Sequence, residues 1–210
     1  MRELLPTILV PDEVEFRGRL AILDGAVPTC QLDIADGVFV PGKTFQDPTI
    51  AGKHHLIYEL DLMVAEPRQV LEAWQAVPQV KRAIIHAEIA EPLAPLIELI
   101  KKYGWEAGIA LNPRTDWQVI EPLLQKIDAL LFMTVFPGQN AAPFQPQVVP
   151  NIRIFHDTHP EVLISVDGGV NEKTIPLLLA AGVTRFAAGS AIWSAGDPIQ
   201  NYKKLLTLIS

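Results

Sequence analysis

The sequence predicts an α/β protein, and within that class a closed TIM (β/α)8 barrel in which each parallel strand is followed by a helix. Short apolar runs alternate along the chain with longer amphipathic segments. Most of the short runs are apolar almost throughout, which is typical of strands covered on both faces. The chain has 210 residues, 49% of them hydrophobic. We therefore expect a single barrel domain over residues 1–210.

Eight segments fit buried strands, and seven segments between or after them fit helices. The predicted strands are residues 5–10, 29–34, 56–64, 82–86, 106–111, 129–134, 163–167 and 185–188. The predicted helices are residues 13–23, 67–76, 92–103, 117–125, 148–158, 172–181 and 198–209. Pro67 and Pro92 suit first-turn positions, and Asn171 is a candidate helix cap. The connection between the second and third predicted strands has the weakest helix signal, and we expect a short or irregular helix there, around residues 47–53.

An open doubly wound sheet is the structural alternative to the closed barrel. Such a sheet normally has fewer strands at this length and carries a glycine-rich first turn. The first turn of this chain, Val10-Pro11-Asp12, contains no glycine. The closed barrel is therefore the preferred prediction.

The composition narrows the class of protein and its partners. The net charge is -7 and the basic residues are scattered, so we expect no nucleic-acid partner. The single cysteine, Cys30, lies in a predicted buried strand, where packing is its expected role, and it fits a reducing compartment. Charges within the first 20 residues argue against a signal peptide, and no apolar run reaches the length of a membrane span. These features predict a cytoplasmic protein without a membrane partner.

Polar residues recur at the ends of the predicted strands. They are Asp33, Asp36, Asp61, His86, Glu88, Asn112, Thr134, Asp167 and Gly189-Ser190. Each has an ordinary structural explanation by itself, since Asp36-Gly37 favours a turn and His86 could be a core histidine. Independent causes do not explain why all of them lie at one rim of a barrel. That rim is where barrels of this type carry out their chemistry.

Two glycine-bearing strand ends predict a site for an anion. Gly168 and Gly169 stand between the seventh predicted strand and a helix, and Gly189-Ser190 follows the eighth strand. Glycines let backbone N–H groups approach a phosphate closely, and barrels usually hold phosphate after strands seven and eight. The alternative is that these glycines only make tight turns.

Beyond these patterns, the chain resembles the ribulose-phosphate 3-epimerase family over nearly its whole length. The motifs that carry the resemblance are Pro6-Thr7-Ile8-Leu9, Leu32-Asp33-Ile34, Asp36-Gly37-Val38-Phe39-Val40-Pro41, Leu62-Met63-Val64, His86-Ala87-Glu88, Gly108-Ile109-Ala110-Leu111-Asn112-Pro113, Met133-Thr134-Val135, Val166-Asp167-Gly168-Gly169-Val170-Asn171 and Ala188-Gly189-Ser190-Ala191-Ile192. The resemblance implies a ribulose-phosphate-binding barrel that epimerises a ketopentose phosphate at C3.

The resemblance also implies roles for individual residues. Asp33 and Asp167 match the two acid/base aspartates of the family, which are also metal ligands. Substrate-binding positions, together with the methionines that line the site, fall on Thr7, Met63, His86, Met133, Gly138, Gly168, Gly169, Gly189 and Ser190. The ligand expected from the family is a phosphorylated sugar, and the expected assembly is a homo-oligomer.

The metal site departs from the family pattern. Gln31 and Asp61 stand where the family has two histidines. Together with Asp33 and Asp167 they form an all-oxygen ligand set, which suits Mg²⁺ or Mn²⁺ better than Zn²⁺. We therefore expect either a harder cation than zinc or a site without metal. The loop after the sixth strand also differs, because residues 140–142 replace a glycine-rich segment.

Three hypotheses on function remain open from the sequence. The first is a ribulose-phosphate 3-epimerase or an epimerase of a related ketose phosphate, supported by Asp33 and Asp167. The second is a sugar-phosphate-binding protein that has lost catalysis, supported by the loss of both histidines. The third is another reaction on the same scaffold, such as a decarboxylation of the orotidine-phosphate type, which would need a lysine among the strand-end carboxylates. Fold alone does not choose among them.

Overall fold

Eight strands close into a barrel, and each strand runs parallel to its neighbours. A computed structural model describes residues 2–137 and 142–210 of the chain. The strands are β1 (Glu3–Ile8), β2 (Thr29–Ala35), β3 (Ile57–Met63), β4 (Val80–His86), β5 (Glu106–Leu111), β6 (Ala129–Met133), β7 (Leu163–Asp167) and β8 (Arg185–Ala188). They pair in chain order, and β8 pairs with β1 to complete the ring. The predicted closed barrel is confirmed, and the open sheet is excluded.

Helices cover the outside of the barrel. They are α1 (Glu13–Leu23), α2 (Pro48–Ala51), α3 (Pro67–Trp74), α4 (Leu93–Lys102), α5 (Val148–Thr158), α6 (Ile175–Ala180), α7 (Ser190–Trp193) and α8 (Pro198–Ile209), with a 3-10 helix at Trp117–Lys126. Side-chain caps fix several starts; the Asp197 carboxylate, for example, accepts hydrogen bonds from two backbone N–H groups of α8. No helix in the described part of the chain combines the length and the apolar surface that a membrane crossing needs.

The main hydrophobic core lies between the strands and the helices. Leu4 and Ile8 of β1 belong to the same buried cluster as Phe16 and Leu20 of α1. Burying one such side chain contributes roughly 1.5–3 kcal/mol. Because side chains alternate along a strand, the residues between these outward positions point into the barrel. The outer core thus supplies the apolar burial, and the barrel interior can carry polar groups.

The predicted helices differ from the observed ones where backbone hydrogen bonding is interrupted. The segment predicted as a helix over residues 117–125 is a 3-10 helix, and it contains Pro122. Proline has no backbone N–H and its ring clashes with the carbonyl four residues earlier, so a regular α-helix is disfavoured there. Helix α6 begins at Ile175 instead of residue 172, because the Asn171 side chain accepts hydrogen bonds from the N–H groups of Lys173 and Thr174 in a preceding turn.

A network of charged side chains fills the N-terminal end of the barrel. The Arg185 guanidinium of β8 donates to Glu3, Glu59 and Glu106 at 3.1, 3.2 and 3.2 Å. The side chains of Arg185 and Glu59 are only 4% and 0% exposed. Burial raises the pKa of Glu59 to about 7, although the charges of Arg185 and Arg82 act to lower it. This network connects strands that are distant in the chain.

We predict that Arg185→Met lowers the free energy of unfolding by about 3–5 kcal/mol, because it leaves the buried Glu59 carboxylate without its nearest cation. Urea unfolding followed by circular dichroism measures this loss. The matched control is Arg17→Met, which removes a pair whose side chains are 51% and 52% exposed. A change below about 1 kcal/mol is expected for the control. Equal losses in the two variants would contradict the buried-network account.

Candidate active site

Three aspartates and a histidine meet inside the C-terminal end of the barrel. Asp33 lies on β2, Asp61 on β3, His86 on β4 and Asp167 on β7. Asp33, Asp61 and His86 are buried, and Asp167 is partly buried. One carboxylate oxygen from each aspartate lies within 4.8 Å of the others, close enough for a single cation to bind all three. The strand ends singled out in the sequence therefore converge on one acidic cluster.

Strand register sets the position of these side chains along the barrel axis. Asp33 pairs with Asp61 across β2 and β3, and Met133 pairs with Asp167 across β6 and β7. Gln31 lies two residues before Asp33, so both side chains point into the barrel and Gln31 is one layer deeper. A regular parallel ladder is enough to place acids from distant parts of the chain side by side.

Gln31 bridges the two aspartates that the resemblance marks as acid and base. Its Nε2 donates to Oδ1 of Asp33 at 2.7 Å and to Oδ2 of Asp167 at 2.6 Å. From the sequence, Gln31 is expected among the metal ligands, through its amide oxygen. In this arrangement the amide nitrogen faces the carboxylates, and an amide N–H group donates hydrogen bonds and does not bind cations. The carboxylates of Asp33, Asp61 and Asp167 are therefore the groups that could hold a cation in this arrangement.

The electrostatics of this layer favour partial protonation. Burial, followed by the charge of Asp61, raises the pKa of Asp33 to about 7, although hydrogen bonds from Gln31 and Thr7 act to lower it. Burial, followed by the charge of Asp33, raises the pKa of Asp167 well above its ordinary value. Carboxylates this close do not readily ionise together, so the protonation states of the pair depend on each other.

His86 lies beside the acidic cluster. Its Nε2 is 3.2 Å from Oδ1 of Asp61, and the Phe39 ring lies against the imidazole at a centroid distance of 5.0 Å. The other ring nitrogen, Nδ1, lies 3.8 Å from Oε2 of Glu88. These contacts place His86 where it orients Asp61. His86 does not line the cavity above the aspartates.

A cavity opens above Asp33 and Asp167 at the mouth of the barrel. Nine of the residues singled out in the sequence line it: Thr7, Asp33, Met63, Met133, Asp167, Gly168, Gly169, Gly189 and Ser190. The cavity is also lined by four residues that were not predicted as part of a site: Leu9, Val135, Pro137 and Ala142. These four are apolar and have no chemical signature that distinguishes them from core residues. Gly138 lies outside the described residues.

The glycines beside the cavity are required for steric or backbone reasons. Gly168 has a φ of 106°, and a Cβ added there would overlap a methyl group of Val135. Gly169 has a φ of 61°. A Cβ on Gly189 would lie 2.8 Å from the Thr7 hydroxyl. These positions therefore require glycine for their backbone or their packing, and the same lack of side chains leaves backbone groups open to the cavity.

The Asp36 side chain has a structural role, because its carboxylate accepts backbone hydrogen bonds from two loops. Its Oδ1 accepts hydrogen bonds from the N–H groups of Val38 and Phe39 at 2.8 and 2.9 Å, and its Oδ2 accepts one from Ala65 at 2.7 Å. Gly37 follows with a φ of 79°. Asp36-Gly37 is thus the turn that starts the β2–α2 connection, and it ties that connection to the loop after β3.

Solved structures share the fold of this chain. A 3-hexulose-6-phosphate synthase from Salmonella typhimurium has a TM-score of 0.72 at 14% identity, covering 100% of this chain and 98% of that one. An orotidine 5'-monophosphate decarboxylase from Sulfolobus solfataricus has a TM-score of 0.68 at 10% identity, again covering 100% and 98%. At such low identity these similarities concern the fold alone.

Sequence relatives identify the family. A ribulose-phosphate 3-epimerase from Bacillus subtilis (strain 168) is 34% identical over 206 residues, which is 94% of each chain. The cytoplasmic isoform of ribulose-phosphate 3-epimerase from Oryza sativa subsp. japonica is 33% identical over 174 residues, covering 80% of this chain and 76% of that one. The family model for ribulose-phosphate 3-epimerases matches residues 3–193. The chain therefore belongs to the ribulose-phosphate 3-epimerase family.

Proposed function

We propose that this protein epimerises a ketopentose phosphate at C3, interconverting ribulose 5-phosphate and xylulose 5-phosphate. The observation that carries the proposal is the pair of carboxylates on Asp33 and Asp167, which come from separate strands and line one cavity. Inversion at C3 needs a base that removes the proton on one face of the substrate and an acid that returns a proton on the other face. Asp33 and Asp167 take these two roles, and they exchange them when the reaction runs in reverse.

The glycine loops after β7 and β8 are the proposed phosphate site. Gly168, Gly169, Gly189 and the first residue of α7, Ser190, line the same cavity as the two aspartates. Backbone N–H groups in such loops donate hydrogen bonds to phosphate oxygens at no cost in side-chain order. Binding the phosphate there anchors one end of the substrate, so that the carbon next to its carbonyl group is presented to the carboxylates.

Two methionines make the reacting part of the cavity apolar. Met63 and Met133 line the cavity and are each only 3% exposed. Thioether side chains adapt their shape to a ligand and exclude water from it. A water-poor environment strengthens each electrostatic contact with the charge that develops as the proton leaves C3.

We propose that Asp33, Asp61 and Asp167 hold a divalent cation, with Mg²⁺ or Mn²⁺ favoured over Zn²⁺. The three carboxylates present only oxygen donors, and zinc favours nitrogen and sulfur. A bound cation would supply positive charge to stabilise the enediolate formed at the substrate. The cluster also fits this role because Oδ2 of Asp61 is buried and accepts no hydrogen bond from the described residues.

The other two hypotheses on function are not favoured. A binding protein without catalysis was suggested by Gln31 and Asp61 in place of histidines, yet both acid/base aspartates are present at one cavity. A decarboxylase of the orotidine-phosphate type would need a lysine among the carboxylates, and no lysine from the described residues lines the cavity. The homo-oligomer and the cytoplasmic location suggested by the sequence stay predictions.

We predict that the purified protein exchanges the C3 hydrogen of ribulose 5-phosphate for deuterium in D₂O and forms xylulose 5-phosphate. Asp33→Asn and Asp167→Asn should each slow the formation of xylulose 5-phosphate by about 10³-fold or more, because each removes one of the two proton-transfer groups. Nuclear magnetic resonance of the sugar phosphates follows both exchange and product.

Asp197→Asn is the matched control for these two variants, since asparagine caps a helix as well as aspartate does and Asp197 caps α8 away from the cavity. It should keep the wild-type rate. Unchanged epimerisation in either active-site variant would show that the acid/base assignment is wrong. Absence of exchange in the wild-type protein with Mg²⁺, Mn²⁺ and Zn²⁺ each supplied would reject the epimerase proposal.

We further predict that the protein binds Mn²⁺ or Mg²⁺ and does not retain stoichiometric zinc after purification. Asp61→Asn should weaken Mn²⁺ binding by about tenfold or more, because it removes one of three charged ligands. Elemental analysis gives the metal content, and calorimetric titration gives the affinity independently of activity. One tightly held zinc per chain would contradict the preference for a hard cation.

A further inference from the structure

Gln31 is the only neutral side chain that contacts both Asp33 and Asp167 among the described hydrogen bonds. The two contacts use both hydrogens of a single amide nitrogen, at 2.7 and 2.6 Å. The bond to Asp167 joins β2 to β7, between residues that are 136 positions apart in the chain. One planar group therefore bridges the two carboxylates.

The orientation of the amide is dictated by the carboxylates. Oε1 of Gln31 is buried and has no hydrogen-bond partner in the described part of the chain. An unpartnered buried acceptor is destabilising, whereas hydrogen bonds to charged acceptors are stronger than those between neutral groups. Turning the amide over would place its oxygen against two carboxylates. The side chain thus leaves its own acceptor unpartnered and donates to both aspartates.

Gln31 acts from beneath the cavity. It is 0% exposed and does not line the cavity, whereas Asp33 and Asp167 do. Its two bonds use Oδ1 of Asp33 and Oδ2 of Asp167, so each carboxylate keeps one oxygen that Gln31 does not contact. Such an arrangement separates the group that orients the aspartates from the groups that react.

We propose that Gln31 is a positioning residue that holds the two proton-transfer groups of this protein in one fixed arrangement through a single amide NH₂. The inference rests on the proposed epimerase function and names a further residue that the reaction needs. A change at Gln31 disturbs both carboxylates together, because the same nitrogen contacts both. Proton removal from either epimer of the substrate therefore depends on it to a similar degree.

The test is Gln31→Met, which keeps the length of an unbranched side chain and removes both donors. We expect kcat to fall by about 10²-fold, as expected when reacting groups are misplaced by an ångström. KM should stay within about threefold, since the glycine loops are unchanged. Early deuterium exchange at C3 should slow by a similar factor from ribulose 5-phosphate and from xylulose 5-phosphate, because each epimer is deprotonated by a different aspartate.

Ser165→Ala is the control, because Ser165 is a buried β7 residue whose hydroxyl has no hydrogen-bond partner in the described part of the chain. It should keep wild-type kcat and KM. Wild-type kcat in Gln31→Met, or slowing from only one epimer, would overturn the proposal. If instead the wild-type protein shows no exchange at all, the proposed function fails by itself.

Unfolding measurements decide the role of Gln31 even without turnover. The shift in the urea midpoint caused by Gln31→Met should be smaller when Asp167→Asn is already present, because the amide then has one carboxylate fewer to hold. If Gln31→Met does not fold, Asp167→Asn should restore folding. Additive midpoint shifts, or no restoration, would overturn the proposal.

Discussion

Three carboxylates confined within 4.8 Å of one another are the constraint on which the functional end of this barrel depends. Buried negative charges at this spacing destabilise the fold unless they are protonated, hydrogen-bonded or bound to a cation. The chain supplies the Gln31 amide to Asp33 and Asp167 and the His86 ring to Asp61. As in the Arg185 network at the N-terminal end of the barrel, strand register brings together side chains that are far apart in the chain. Here, however, the ionisable groups are nearly all acidic, so they compete for protons or for a cation.

Much of the fold was predictable because the strands are buried on both faces and therefore apolar throughout. The helix ends were less predictable, since Pro122 and the Asn171 turn act through particular backbone hydrogen bonds. The buried Arg185–Glu59 pair was not predicted, because single charged residues in separate strands carry no sequence signal until the register between the strands is known. Local patterns therefore specify the elements, and contacts distant in the chain specify what fills the barrel.

The functional site was likewise predictable where local sequence patterns mark its residues, and not where contacts distant in the chain determine it. Asp33, Asp167 and the glycines could be identified as strand-end residues, and all line one cavity. The side of its amide that Gln31 presents depends on a contact with a residue 136 positions away, so it is not accessible from local sequence. The barrel itself is shared with a 3-hexulose-6-phosphate synthase and an orotidine 5'-monophosphate decarboxylase. The chemistry is determined by which side chains occupy the inner layer at the carboxyl ends of the strands.

The central claim is that two different aspartates remove and return the proton at C3. The most direct test is a single turnover of ribulose 5-phosphate deuterated at C3, carried out in ordinary water. The account predicts xylulose 5-phosphate that carries protium at C3, because the group that accepts the deuteron is not the group that donates to the opposite face. Product that retains the deuterium at C3 would show that one group carries the proton across, and would contradict the account.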